Sequence, residues 1–338
     1  MARKERIELI RRIEDERGSR LICCLTSDRA NAPGFFAKDF IPVFFEHLSG
    51  FHDCKKVDVF VFTQGGDTLA AFGLSRLVRE FTYSFGALVP HWCHSAGTLF
   101  VLGADEILMT RGATLTPIDP SVQGPLNPVV ELIPGRREPM PVSVESVAGY
   151  RSLIKEDWRL NNDGTAVAFR ILADKINPLA LGDVYRSRQQ IRSLARTLLG
   201  YHRHDERNIQ NIVKQLTGGL GSHDYLISRG EARQLLGSQI WKDDATLERL
   251  IWDLYLDFKN EMDLGQIFDA GMVVNGWTAA GKQLPAFDEQ KVVVVESATA
   301  GDEFERALQV LAVQAMTPAG PTQVFQATVV RTGWKHYT

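Results

Sequence analysis

Apolar residues along this chain follow two alternating rhythms. From Arg3 to Glu16, Ile7, Leu9, Ile10 and Ile13 lie inside a charged stretch, the pattern of an amphipathic helix. Leu21-Ile22-Cys23-Cys24-Leu25 is a short continuous apolar run and reads as a buried strand. Asp39 to Leu48 is helical again, with Phe40, Val43, Phe44 and His47 on one face. A strand over Lys56 to Phe62 follows, and then a helical face of Leu69, Ala70, Phe72, Leu74, Leu77 and Val78 that ends near Phe81. Phe85-Gly86-Ala87-Leu88-Val89-Pro90 reads as a strand, Thr98 to Ala104 as a buried helix, and Ile107-Leu108-Met109 as a further short strand. This repeat predicts an α/β core with a mostly parallel sheet and right-handed crossovers.

Beyond the core the rhythm changes. Residues 121–143 are rich in Pro, Gly and Arg and read as an ordered loop or edge hairpin. Helical periods then run over about 145–160, 164–176, 182–199 and 205–216, and again from Leu247 to Lys259. Lys291 to Glu296 and Thr322 to Arg331 read as strands around a helix at 303–315. That predicts a small α/β C-terminal module at 285–338, with a boundary in 262–290.

Composition narrows the function. A chain of 338 residues is long enough for one large domain and a smaller one. A formal net charge of −3 disfavours a nucleic-acid partner, because such domains are usually basic. Cys23, Cys24, Cys54 and Cys93 lack metal-ligand spacing and read as reduced core residues of a cytoplasmic protein. Met1 to Arg20 is charged throughout, so no signal segment is expected there. No run approaches the about 20 apolar residues of a membrane span. No Gly-rich loop leads into Lys-Ser or Lys-Thr, so no nucleotide site or other cofactor is expected. His91, His94, His202 and His204 do not make a zinc set, and no metal is expected.

The chemistry concentrates at two turns. His91-Trp92-Cys93-His94-Ser95-Ala96-Gly97-Thr98 puts Ser95 between a strand and a helix. A serine there exposes its hydroxyl above the sheet, beside the free N–H groups of a helix N-terminus. Acyl-transfer nucleophiles need that geometry, although the same position also suits a plain N-cap. One unit earlier, Thr63-Gln64-Gly65-Gly66-Asp67-Thr68 joins a strand to a helix, and paired glycines let backbone N–H groups approach a ligand closely. If the two strands are parallel neighbours, both turns open at the sheet edge where open α/β sheets bind ligands.

These residues carry a family resemblance. Phe62 to Thr68, Ser95-Ala96-Gly97-Thr98, Gly103 to Met109 and Leu115-Thr116-Pro117-Ile118-Asp119-Pro120 resemble, in that order, the Clp-class serine peptidases, the superfamily of the ClpP proteases, signal peptide peptidase A and the crotonases. The closest branch is the serine dehydrogenase proteinase (SDH-type) peptidases. His223 to Gly237 is similar to that family's closing element, where a Glu-Ala helix leads to a Leu-Gly exit. The resemblance covers about residues 18–240. It implies a ClpP/crotonase-like fold over 1–260, with a core at 18–125, a helical part at 144–217 and a closing element at 221–240. Gln64 stands where relatives often have proline.

The resemblance implies Ser95 as nucleophile, with oxyanion donors at the N–H groups of Gly66 and Ala96, and Gly65 supporting the turn. The general base departs from the ClpP pattern, because Thr116 to Pro120 holds Asp119 and no histidine. The signal-peptide-peptidase pattern is also missing, since no lysine lies between Ser95 and Lys155 and the expected loop carries Arg136 and Arg137. Arginine stays protonated and cannot serve as base. His223 has a suitable intrinsic pKa, which gives a triad of Ser95, Asp119 and His223, with Asp224 as another orienting carboxylate and Lys155 as the runner-up base. The expected protein is a serine endopeptidase acting through an acyl-enzyme on peptides or unfolded segments, a homo-oligomer, and independent of ATP by itself. Two alternatives remain: an inactive scaffold of the same fold, or a crotonase-like acyl-CoA enzyme working through carboxylates such as Asp67 and Asp119.

Overall fold

The computed structural model of the protein describes residues 3–52, 54–118, 121–122, 124–133, 136–202, 205–241, 243–317 and 320–337. In chain order the first elements are α1 (Arg3–Arg17), β1 (Arg20–Thr26), α2 (Phe40–Ser49), β2 (Lys56–Phe62), α3 (Thr68–Phe81), β3 (Ser84–Val89), β4 (Trp92–Cys93), α4 (Ala96–Val101), β5 (Glu106–Met109) and β6 (Thr114–Leu115). Next come β7 (Ser121–Val122), β8 (Val129–Ile133), β9 (Arg136–Pro139), β10 (Val142–Ser143), α5 (Val144–Ser152), α6 (Asn162–Lys175), α7 (Pro178–Leu199) and α8 (Glu206–Lys214). The chain ends with β11 (Ile227–Ser228), α9 (Arg229–Leu236), α10 (Ala245–Glu261), α11 (Ala270–Ala279), β12 (Ala286–Ser297), β13 (Gly301–Thr317) and β14 (Gly320–Tyr337). Two compact units result: residues 1–115 with 228–338, and residues 116–227.

The first unit is built on a seven-stranded sheet in the order β14-β13-β12-β1-β2-β3-β5. Strands β1, β2, β3 and β5 are parallel, in registers such as Ile22 opposite Val59, Val59 opposite Ala87 and Ala87 opposite Ile107. Their runs are apolar on both faces because helices cover both sides, as parallel sheets require. Leu21, Cys23, Leu25, Phe60, Phe62 and Leu88 face a core shared with Ile10 and Ile13 of α1 and Leu254 and Phe258 of α10. Phe36, Phe40, Phe85 and Phe100 form edge-to-face contacts in another part of the interior.

The C-terminal strands extend this sheet. β12 runs antiparallel to β1, and β13 and β14 follow as a long antiparallel hairpin. The helix expected at 303–315 is strand β13 instead. Its inward positions alternate as Gly301, Glu303 and Glu305, then shift phase to Leu308 and Val310 across a register irregularity at Ala307/Leu308. That shift places Phe304, Leu308 and Leu311 at helix-like spacing, which imitates a 3.6 period.

The second unit is mainly helical. Helices α5 to α8 follow a small antiparallel pair, β7 with β10, and the β8–β9 hairpin that the Pro-Gly-Arg stretch suggested. Val142, Val144 and Val184 form a local core with Val147 and Ile176. A π turn at Leu153–Asp157 breaks the helical run expected at 145–160, and a second lies at Gln215–Gly219.

Candidate active site

The two chemical turns meet at the C-terminal end of β2. Thr63 N–H donates to Trp92 O at 3.0 Å, and His94 N–H donates to Thr63 O at 3.0 Å, so β4 runs parallel beside the extension of β2. Thr63 is fully buried and its hydroxyl accepts from Gly65 N–H at 3.0 Å. Thr26 Oγ1 donates to Thr63 Oγ1 at 2.8 Å, which fixes that hydroxyl from the neighbouring strand. Gly65 and Gly66 then adopt φ of 115° and 137°, conformations that L side chains rarely hold.

The glycines are also required by space. A Cβ on Gly65 would lie 2.9 Å from Ser95 Cβ, and one on Gly66 would lie 2.4 Å from Phe36 O. Phe36 N–H donates to Gly65 O and Asp67 N–H donates to Phe36 O, each at 2.8 Å. In such a parallel bridge the N–H of Gly66 points away from Phe36. Neither the Gly66 nor the Ala96 N–H donates to a hydrogen-bond acceptor among the described residues.

Ser95 precedes α4 with φ 51° and ψ −112°, a sparsely populated region for a residue with a side chain. Its side chain makes no capping bond to the helix, so the plain N-cap reading fails. The helix starts instead on backbone bonds: Gly97 N–H to His94 O at 2.8 Å and Leu99 N–H to Ser95 O at 3.1 Å. Thr98 Oγ1 donates to Cys93 O at 2.9 Å and closes the turn. A Cβ on Gly97 would come within 2.5 Å of Thr63 Cγ2, so α4 seats directly on the end of β2. Ser95 itself is half-buried. The turn thus has the geometry of a nucleophile elbow, with a double-glycine turn packed against it.

Other nearby groups have structural employment. Asp67 caps α3, its carboxylate accepting from Leu69 N–H at 2.8 Å and Ala70 N–H at 3.1 Å. That use removes a carboxylate from the crotonase-like alternative. His94 Nε2 pairs with Thr114 Oγ1 at 2.9 Å and its ring stacks on Trp92, while His91 Nδ1 pairs with Gly112 O at 3.0 Å. Cys93 is fully buried, and burial pushes its thiol well above its ordinary pKa, which excludes a thiolate nucleophile two residues from Ser95.

The remaining sequence candidates belong to the second unit. His223 is half-buried in a turn where Asp224 N–H donates to Ser222 Oγ at 3.2 Å and Tyr225 N–H to Ser222 O at 3.2 Å. Asp224 is exposed. Lys155 is exposed on the first π turn. Asp119 and His204 lie outside the described residues, and His202 is half-buried after α7. Sequence reasoning assigned no role to Thr63 or Gly97. A threonine two residues before a glycine in a βα turn was the available signal for the first.

A serine in a strained strand-to-helix turn, against a glycine pair, thus sits on a mixed α/β fold with a mostly parallel central sheet. In comparison with known sequences, residues 1–146 match the family described as ClpP-like SDH-type serine proteinase. The chain is 28% identical over 181 residues to uncharacterized protein MJ0137 of Methanocaldococcus jannaschii, covering 54% of this chain and 52%, about half, of that relative. It is 26% identical over 243 residues to uncharacterized protein MJ1495 of the same organism, covering 68% of this chain and 70% of the relative. Among solved structures it is similar to a membrane-bound stomatin-specific protease, 1510-N, with a TM-score of 0.39 and 10% identity over 68% of this chain and 82% of that one. It is also similar to ClpP1 from Listeria monocytogenes, with a TM-score of 0.37 and 12% identity over 73% and 99% of the two chains. No helix among the described residues is long and apolar enough to cross a membrane.

Proposed function

We propose that this protein is a serine peptidase that hydrolyses peptide bonds through an acyl-enzyme. The observation that carries this reading is the backbone of Ser95, held at positive φ against Gly65 with no capping role for its hydroxyl. In this reading Ser95 Oγ attacks the scissile carbonyl while His223 takes its proton. Asp119 orients the imidazole and stabilises the imidazolium. The negative charge that develops on the carbonyl oxygen is met by the N–H groups of Gly66 and Ala96. Collapse expels the amine, which leaves with the proton from His223. A water then gives a proton to the same histidine, attacks the ester, and releases the acid and free Ser95. The substrate is a peptide or unfolded segment, the chain assembles as a cytoplasmic homo-oligomer, and cleavage needs no ATP bound to this chain.

Labelling with a fluorophosphonate tests this. The wild type should label, Ser95→Ala should not, and His223→Ala should label at least about 100-fold more slowly, the usual size of a general-base contribution. Undiminished labelling of His223→Ala would move the base to Lys155 or another group. A wild-type protein that never labels, under conditions where it is folded, would overturn the peptidase reading.

A further inference from the structure

The helical unit contains a cavity of about 620 Å³, inside the range of about 300–1,000 Å³ usual for small-molecule sites. Three helices build it from stripes at helical spacing. α7 contributes Val184, Arg188 and Arg192, each four residues apart; α6 contributes Thr165, Phe169 and Leu172. α5 and the π turn add Arg151, Ile154 and Lys155. π turns are rare and concentrate at functional sites, because they re-aim side chains that a regular helix would present elsewhere.

The walls combine two features that conflict with each other. Phe169 and Tyr185 remain 59% and 65% exposed, so a large apolar surface stays unburied. Cations stand in the same cavity, and among the described residues no aspartate or glutamate lines it. Among the described residues, Arg188 Nε is buried with no hydrogen-bond partner, which costs free energy unless something accepts from it. Arg192 Nε donates to Thr217 Oγ1 at 3.1 Å, a neutral partner. The charges acting on Arg188 are those of Arg192 and Arg151; after burial, they push its pKa down. A cluster of like charges in an apolar recess is unfavourable alone and favourable once an anion joins it.

We infer that this cavity binds an amphipathic carboxylate, its head on Arg188 with Arg151 and Arg192 beside it and its apolar body against Phe169, Leu172 and Val184. The planar guanidinium fork matches a carboxylate in two bonds, and the apolar walls supply the area that a free anion such as acetate would not use. Two sources carry that chemistry: a fatty acid, or the free C-terminus of a peptide with apolar last residues. The inference does not depend on Ser95 being active.

Titration calorimetry on the full chain tests it with four probes: decanoate, decanol, N-acetyl-Leu-Phe as the free acid, and the same dipeptide as its amide. At least one acid should bind 10-fold or more tighter than its neutral analogue, and the acid that does so identifies the source. Arg188→Gln should erase that preference while leaving binding of the neutral analogue unchanged. Arg188→Lys should keep part of it, which separates loss of charge from loss of the fold. The inference is overturned if acid and neutral probes bind equally, if neither acid binds, or if Arg188→Gln, with an unchanged melting temperature, binds the acid as the wild type does.

Discussion

Ser95 sits at φ 51° and ψ −112°, where an L-residue pays a steric cost that glycine escapes. Such strain amounts to about 1–3 kcal/mol and persists only where surrounding structure over-determines it. Here that structure is the bonds of His94, Thr98 and Leu99 and the close seat of Gly97 on Thr63. Ser95→Gly should therefore be more stable than Ser95→Ala, by about 1 kcal/mol after the extra flexibility of glycine in the unfolded chain is subtracted. Urea denaturation of the two variants measures this; equal stabilities would mean the turn is not strained. Thr63→Val keeps the volume but removes the acceptor of Gly65 N–H. It should slow fluorophosphonate labelling by about 10-fold or more if that turn sets an oxyanion donor, while Ser95 stays in place. At this scale Ser95, Gly65 and Gly66 were legible because their chemistry is written in adjacent residues. Thr63 and Gly97 were not, because each acts across neighbouring strands. Asp67 was read as a possible catalytic carboxylate, yet its place two residues before Leu69 at a helix start is that of a cap.

Elements were most legible where one rhythm dominates. β1, β2, α3 and β3 fall close to their expected limits because burial on both sheet faces makes continuous apolar runs, and the intervening helix has a single wet face. β13 was misread because a register irregularity shifts its alternation, and because its inward Glu303 and Glu305 are charged. Those carboxylates are tolerated because Lys291 reaches Glu303 at 2.8 Å and Lys335 reaches Glu305 at 3.2 Å across the hairpin. The short β4 escaped notice since two residues give no period, although it aligns the serine turn with the glycine turn. At the start of α3, Asp67→Ala should lower stability by about 1 kcal/mol, the usual cost of losing an N-cap acceptor, and equilibrium denaturation would show it. An unchanged midpoint would mean the two bonds from Leu69 and Ala70 are replaced by water at no cost.

Across the first unit, ion pairs tie the chain's beginning to its end. Arg6 is 1% exposed and bonds Glu296 on β12 at 2.9 Å and Asp257 on α10 at 2.8 Å, with Glu261 as a further partner. No sequence rhythm reveals this, because the partners are some 250 or more residues away. Arg6→Ala would leave Asp257 buried without this counter-charge and Glu296 held by Arg3 alone at 3.0 Å, and urea denaturation should show a loss of about 3–5 kcal/mol.

His47 joins the same ends by a different chemistry, and it makes stability depend on pH. Its ring is buried on α2, with Nδ1 3.0 Å from Ser297 Oγ and Nε2 3.1 Å from Asp302 Oδ2. Burial is the largest influence and lowers the imidazole pKa, although Asp302 pulls the other way. A histidine whose pKa is lower folded than unfolded binds fewer protons when folded in the interval between the two values. Stability therefore rises with pH there. The contribution is fully present above the unfolded value of about 6.5 and is lost as pH falls from there through the lowered folded value. Wild type should lose stability between pH 7.5 and 5.5 faster than His47→Gln, whose amide keeps hydrogen-bonding capacity without titrating. The difference in slope is bounded by about 1.4 kcal/mol per pH unit for one proton. Carboxylates away from Asp302 contribute alike to both proteins, so the comparison reports the imidazole together with the Asp302–His336 pair it faces. Parallel curves would show that His47 keeps its unfolded pKa in the fold, with Asp302 offsetting the burial in full.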